Sequence, residues 1–345
     1  MLDGIGLERR LIEVGEQERP ILVAVVDTEE EFEWGEPFDP AATSVTAMKR
    51  LEIGQQVFDV LGVRPCYVVD FPVACSLTAC VPLKRFLEQG RAVIGAHLHP
   101  WVSPPVEEEI CSRNSFAGNL PRALESGKLE RLAAELESSF GEAPVVYKAG
   151  RYGFGPRTAG ILEEQGFDVD LSFSPPYDFR EEGGPDYSSV SCHPFWFGAS
   201  RRLLGIPCSG AYVGFWRIGT HFLYSLAKRR PLERLKVGGI LSRLRAVERL
   251  HLSPEGHTLD EMERLTRSLM MRGVRVFAVS FHSPSLQPGC TPYVRNEAEL
   301  EEFLGRLRGY LEFFLHELGG VCMTPLELRD LLSAKHGVQH EGARV

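Results

Sequence analysis

The sequence predicts a parallel α/β fold, and three observations carry that expectation. Short apolar runs alternate with helical patterns through the first half of the chain, the habit of repeated strand–helix units. With 345 residues and 43% hydrophobic content, there is ample material for one large core. Polar residues then crowd the C-terminal ends of the proposed strands, where parallel α/β barrels carry their sites.

Taken in order, Ile21 to Val26 is wholly apolar and reads as a fully buried strand. A helical pattern over Val45–Leu61 leads to a second strand, Pro65–Val69, and a short helix, Leu83–Gln89, leads to a third, Ala92–His97. Leu129–Phe140 is helical and Val145–Tyr147 is a strand. The helix at Pro156–Gln165 has proline in its first turn and stops at Gly166, both favourable end signals. Phe167–Phe173 is strand-like.

The pattern loosens between about Arg180 and His257. Glycines, prolines and the aromatics Phe195, Trp196, Phe197, Tyr212, Phe215 and Trp216 predict an inserted aromatic-rich lobe (180–257), a strand pair followed by helices through Leu250. Regularity returns with a helix at Leu259–Arg272, a strand at Arg275–Phe281 and an amphipathic outer helix at Glu297–Leu318. The expected organisation is an N-terminal extension (1–20), one barrel domain (21–332) and a loose tail (333–345).

Acids outnumber bases 47 to 38, for a formal charge of −9, which argues against a nucleic-acid binder. The eight cysteines contain no CxxC pair and read as reduced thiols of a cytoplasmic protein. The first twenty residues lack the apolar core of a secretory signal. The most apolar stretch, Leu203–Leu226, is interrupted by Pro207, Arg217 and His221, so a buried segment is expected there rather than a membrane span.

Four clusters carry chemistry. In VVDTEEEFEW (Val25–Trp34), strand alternation puts Asp27 and Glu29 on one side and Thr28 on the other. Such a pair can be a general base beside a metal ligand, or the acid–base pair of a metal-independent glycosidase. Glu30, Glu31 and Glu33 read as a solvated acidic loop. In IGAHLHPW (Ile94–Trp101), His97 and His99 share a face with Leu98 opposite. Two imidazoles with a carboxylate match a zinc centre of three protein ligands and an open position. In YKAGRYGFGP (Tyr147–Pro156), Arg151 sits in a glycine-rich turn and can pair with a carboxylate or cap a helix. In VSFHSPSLQPG (Val279–Gly289), His282 follows the last strong strand and is a candidate proton donor or a structural histidine.

These pieces, with the runs DTEEEF, AHLHPWVSPP, GNLPRAL, KAGRYGFGPRTAGILEEQGFDVDLSFSP and FHSPSLQPGCTPYVR, resemble the NodB-homology polysaccharide deacetylases of carbohydrate esterase family four. Their look is nearest that family's WalW-like branch, and the likeness spans about Ile21 to Leu331. It implies an irregular (β/α) barrel of fewer than eight strands. The implied activity is removal of N- or O-linked acetyl groups from a saccharide in glycan biosynthesis, with a divalent metal, usually Zn2+. Carried over by position, Asp27 resembles the catalytic base, Glu29, His97 and His99 the metal ligands, Arg151 the arginine that orients the base, and His282 the general acid, with Asp170 tuning it. Tyr67, through a backbone N–H, and Trp101, Tyr152 and Trp196 are the substrate-binding candidates. The family's adjacent aspartates are here separated by Thr28, the second carboxylate is a glutamate, and its HxxxH spacing is HxH. A non-catalytic sugar-binding relative is the alternative that these departures keep open.

Overall fold

The computed structural model describes residues 6–32, 35–214 and 248–336. Seven strands run parallel in the spatial order β8 (Leu203–Gly205), β6 (Val169–Asp170), β5 (Val146–Ala149), β4 (Val93–Leu98), β3 (Cys66–Val69), β2 (Ile21–Thr28) and β11 (Val276–His282). A short β12 (Val321–Cys322) also joins β2 in parallel. At the other edge β7 (Phe195–Phe197) and β1 (Arg10–Leu11) add antiparallel partners. A separate antiparallel pair of β9 (Gly210–Val213) and β10 (Glu248–His251) lies between the sheet's two ends. Single hydrogen bonds bridge it across: Cys208 N donates to Phe173 O, Leu252 N to Ser209 O, and Ser280 N to Leu252 O. The sheet therefore curls into an irregular barrel.

Two apolar clusters explain the curl. Even-numbered β2 residues (Leu22, Ala24, Val26) pack outward with Tyr67, Ala96 and Tyr147 against the covering helices. These helices include α1 (Leu51–Val60), α3 (Leu77–Glu88), α4 (Arg122–Phe140) and the helices at Leu259–Met270 and Glu297–Glu312. Odd-numbered residues (Ile21, Val23, Val25) point inward with Cys66, Val68, Val146, Val169, Leu204, Val276 and Ala278. Leu328 and Leu332 of the helix Pro325–His336 join this inner cluster. Arg329 of that helix sits 2.8 Å from Asp168, just before β6, which places the helix at the N-terminal end of the strands.

Several elements differ from expectation. The segment Phe71–Cys75 forms its own short helix, α2, because Asp70 caps it by accepting from Val73 N and Pro72 suits its first turn. Ser76 then caps α3, which begins six residues before the expected Leu83. Within 180–257, β7 and β8 extend the main sheet, and a strand occupies Glu248–His251 where helix was expected to run through Leu250. The other helices expected there, and Phe215, Trp216, Arg217 and His221, lie outside the described residues. The outer helix passes into a π-helical turn at Phe313–Glu317. The expected tail starts inside the helix Pro325–His336, and its last nine residues lie outside the described set. All eight cysteines are free thiols, and no described helix is long and apolar enough to cross a membrane.

Candidate metal centre

The inward register that fills the barrel with valines also builds the site. On β2 the series Ile21, Val23, Val25 continues to Asp27 and, just past the strand, Glu29. On β4 it runs Val93, Gly95, His97 and then His99. On β5 it is Val146 then Lys148, and on β11 Val276, Ala278, Ser280 and His282. Pairing registers align these tips: Asp27 with His282, and His97 with Lys148. Apolar side chains give way to polar ones at one level across four strands, so the polar tips line one cavity of about 430 Å³.

Glu29, His97 and His99 are buried, and one ligand atom of each lies within 4.8 Å of the others. The Nε2 atoms of His97 and His99 stand 3.3 and 3.4 Å from Glu29 Oε2. His97 Nδ1 lies 2.9 Å from the Lys148 carbonyl, and His99 Nδ1 lies 2.8 Å from Glu30 Oε2. Both partners are acceptors, so each Nδ1 carries the proton and each neutral ring turns an Nε2 lone pair inward. Two lone pairs and a carboxylate therefore face one another, and Glu29 Oε1 is buried with no hydrogen-bond partner. That arrangement repels itself unless a positive species sits among the three, and the donor set suits a cation such as zinc. Without one, burial drives the Glu29 carboxyl up to about 7, and burial brings His99 down to about 4 against the opposing pull of Asp70 and Asp27.

Asp27 lies beside this cluster. Lys148 Nζ donates to both its oxygens, at 2.7 and 2.6 Å, and both side chains are buried. Burial pushes the Asp27 carboxyl upward, but Lys148, His97 and His282 outweigh it and hold it at about 2. Across the cavity His282 Nε2 stands 3.8 Å from Asp27, and its Nδ1 donates to Glu255 Oε2 at 2.8 Å. Glu255 is fixed in turn by His282 N and the Ser285 hydroxyl. Burial lowers the His282 imidazolium's acidity range, but Glu255 and Glu29 reverse this and raise it to about 10. Its side chain stays 23% exposed, enough for a ligand to reach it.

Arg151 and Asp170 are not where the sequence put them to work. Arg151 does not touch Asp27; its guanidinium bonds Glu182 and Ser115 and lies over Phe116. The reason is backbone: Arg151 and Tyr152 both adopt left-handed conformations, at φ 52° and 58°, which carries the arginine to the cavity rim. The cation against Asp27 is Lys148. Asp170 bonds Ser172, and the carboxylate on His282 is Glu255. Alternation along Val146–Ala149 pointed Lys148 inward and was the signal that could have found it. Glu255 lies in a loop with no periodicity to reveal it.

Among the substrate candidates only Tyr152 lines the cavity. The side chain of Tyr67, whose expected part rests on its backbone N–H alone, faces outward and donates from its hydroxyl to Gln55. Trp101 is buried, stacks on His99 at 4.3 Å and donates to Glu30. Trp196 is buried in the inner apolar layer. The aromatic wall is formed instead by Phe32, Phe38, Tyr152, Tyr177, Phe179 and Tyr293, with Tyr152, Phe179 and Tyr177 in consecutive stacks. Glu30, expected in solvent, is fully buried; Glu31 does face outward, accepting from Ser44 and Thr46, and Glu33 lies outside the described residues.

No protein-family model matches this sequence, and no curated protein matches it. Solved structures do match. A Mycobacterium smegmatis protein described as a polysaccharide deacetylase superposes with a TM-score of 0.50 at 15% identity, covering 97% of this chain and 99% of its own. The PuuE allantoinase gives a TM-score of 0.50 at 15% identity, covering 92% of this chain and 91% of its own. The chain thus has the fold that the sequence resemblance implied.

Proposed function

We propose that this chain is a divalent-metal-dependent deacetylase acting on an acetylated saccharide, and that the resembling sequence runs favour the WalW-like branch. The reading is carried by one observation: the lone pairs of His97, His99 and Glu29 converge beside an anionic Asp27 that is not among them. Glu29, His97 and His99 would hold a cation there, and it would supply Lewis-acid chemistry able to polarise an acyl oxygen and lower the pKa of water toward about 7. Asp27 then accepts the proton of the attacking water. Lys148 holds Asp27 in orientation and charge, the part for which Arg151 was the candidate. His282, poised by Glu255, delivers a proton to the departing amine or alcohol. The aromatic wall offers flat faces to a pyranose. The glycosidase alternative has weaker support, since Lys148 engages both oxygens of Asp27 and two imidazoles enclose Glu29.

The test is acetate release from a panel of N- and O-acetylated saccharides, with allantoin as an amide control, before and after chelation and metal restoration. Chelator-sensitive acetate release is expected. Absence of bound metal in the purified protein, with no release after adding zinc, manganese or cobalt, overturns the reading.

A further inference from the structure

Glu30 does not line the cavity, yet it is as tightly held as any residue near it. Its Oε2 accepts from His99 Nδ1 and its Oε1 from Trp101 Nε1, both at 2.8 Å. Its own N–H donates to Asp70 Oδ2 at 2.7 Å, and Asp70 Oδ1 caps α2 through Val73 N at 2.9 Å. Glu30, Asp70 and His99 lie close enough to resemble a second cation site. An N–H donor faces each of those four carboxylate oxygens, however, and the two carboxyl groups also hydrogen-bond each other, with burial holding the shared proton on Asp70, so Glu30 stays the acceptor and the cluster is built to orient rather than to bind.

We propose that Glu30 is a positioning residue that locks His99 in the tautomer protonated on Nδ1, leaving the Nε2 lone pair for a cation held with Glu29 and His97. The inference rests on the metal reading, but the tautomer exists without the metal. A neutral imidazole has one N–H. A carboxylate can only accept, so it draws that proton to Nδ1 and raises the donor strength of Nε2. If the proton moved to Nε2, it would point at Glu29 Oε2 and no lone pair would remain for a cation. Trp101 stacks on the imidazole and shares the same carboxylate, which fixes both planes.

Glu30→Gln turns this into a conflict. Glutamine has one accepting oxygen for two N–H donors. Its amide hydrogens must meet either Trp101 Nε1–H or His99 Nδ1, and the second choice forces the wrong tautomer. Trp101→Phe removes the competing donor, so the double variant Glu30→Gln/Trp101→Phe can again offer its oxygen to His99.

The experiment records ring 15N shifts of His99 in the metal-free wild type and the three variants, with zinc and cobalt affinities by titration. Thermal unfolding confirms that each is folded. Wild type and Trp101→Phe should show the Nδ1–H form. Glu30→Gln should shift toward Nε2–H and bind metal about 10- to 100-fold more weakly. The double variant should recover the Nδ1–H form and most of the affinity. A wild-type His99 protonated on Nε2 overturns the proposal, as does a Glu30→Gln protein that keeps both tautomer and affinity. A wild type with the Nδ1–H form that binds no metal refutes the metal reading and leaves the tautomer assignment standing.

Discussion

The interior of the barrel has two floors made by the same strands. The lower floor is Ile21, Val23, Val25, Cys66, Val68, Val146, Val169, Leu204, Val276 and Ala278. The upper floor is Asp27, Glu29, His97, His99, Lys148 and His282. Backbone, alternation and burial are shared, since every upper residue but His282 is buried as the lower ones are. Only the chemistry of the inward side chain changes, within one step along each strand. The lower floor stabilises by removing apolar surface from water, roughly 25 cal/mol per Å². The upper floor retains charge in the same enclosure, which Asp27 tolerates because it faces Lys148, and which Glu29 tolerates only with a positive species between it and the two imidazoles. One floor holds the barrel together and the other gives it a reactive surface.

Three variants separate the floors. Asp27→Asn should lower acetate release about 10²- to 10⁴-fold with metal affinity retained. It should also destabilise the protein, by about 3–5 kcal/mol, because the buried Lys148 ammonium loses its counter-charge. Adding Lys148→Met should recover most of that stability and none of the activity, read by denaturant unfolding beside turnover. If the double variant remains as unstable as the single one, the pair does not behave as an isolated buried couple. In the opposite sense, Leu204→Ala on the lower floor should cost about 2–5 kcal/mol in unfolding free energy with kcat unchanged within about threefold. A collapse of kcat there would mean that the floors are not independent.

A smaller effect is expected where the floors touch the backbone. An added Cβ at Gly150 would fall 2.2 Å from His99 Cδ2 and 2.7 Å from the Leu98 carbonyl. Glycine is thus required for β5 to end against the His99 ring. Gly150→Ala should weaken zinc binding by about 10- to 100-fold by turning that imidazole, and it should also lower the thermal midpoint, because the Leu98 carbonyl is backbone and cannot swing aside. An unchanged metal affinity would show that His99 tolerates displacement or does not ligate.

How much of this was legible follows from the same two floors. Strict alternation made the tips of β2 and β4 readable, because Asp27, Glu29, His97 and His99 extend apolar series of period two. The same rule applied to Val146–Ala149 gives Lys148, but a guanidinium in a glycine turn drew attention to Arg151 instead. What the sequence could not carry was the handedness of that turn, since neither Arg151 nor Tyr152 advertises a positive φ as glycine would. Glu255 and Glu30 were hidden for a related reason. Both act from irregular segments, so only the folded chain shows that one meets His282 and the other His99. Three consecutive glutamates with a fourth at Glu33 look solvated by composition, and burial of Glu30 depends on Trp101, Asp70 and His99 arriving from elsewhere.

Glu125 on α4 supplies the control for buried charge that lacks a counter-ion. It is 1% exposed, the Thr158 hydroxyl donates to Oε1, and Oε2 is buried without a partner. Burial raises its carboxyl to about 7, against the opposing influence of Thr158, Arg157 and Arg122. Asp27, equally buried but paired with Lys148, moves the other way. For Glu125 the folded state binds the proton more tightly than the unfolded chain. Its contribution is therefore fully present below about pH 4.5 and is lost as pH rises through about 7. Glu125→Gln mimics the protonated form and keeps the acceptor for Thr158. Its unfolding free energy should match wild type near pH 5 and exceed it by about 1–3 kcal/mol near pH 8. Denaturant midpoints at the two pH values decide the matter. A difference independent of pH would show that Glu125 is ionised in the fold, and that Arg122 and Arg157 do for it what Lys148 does for Asp27.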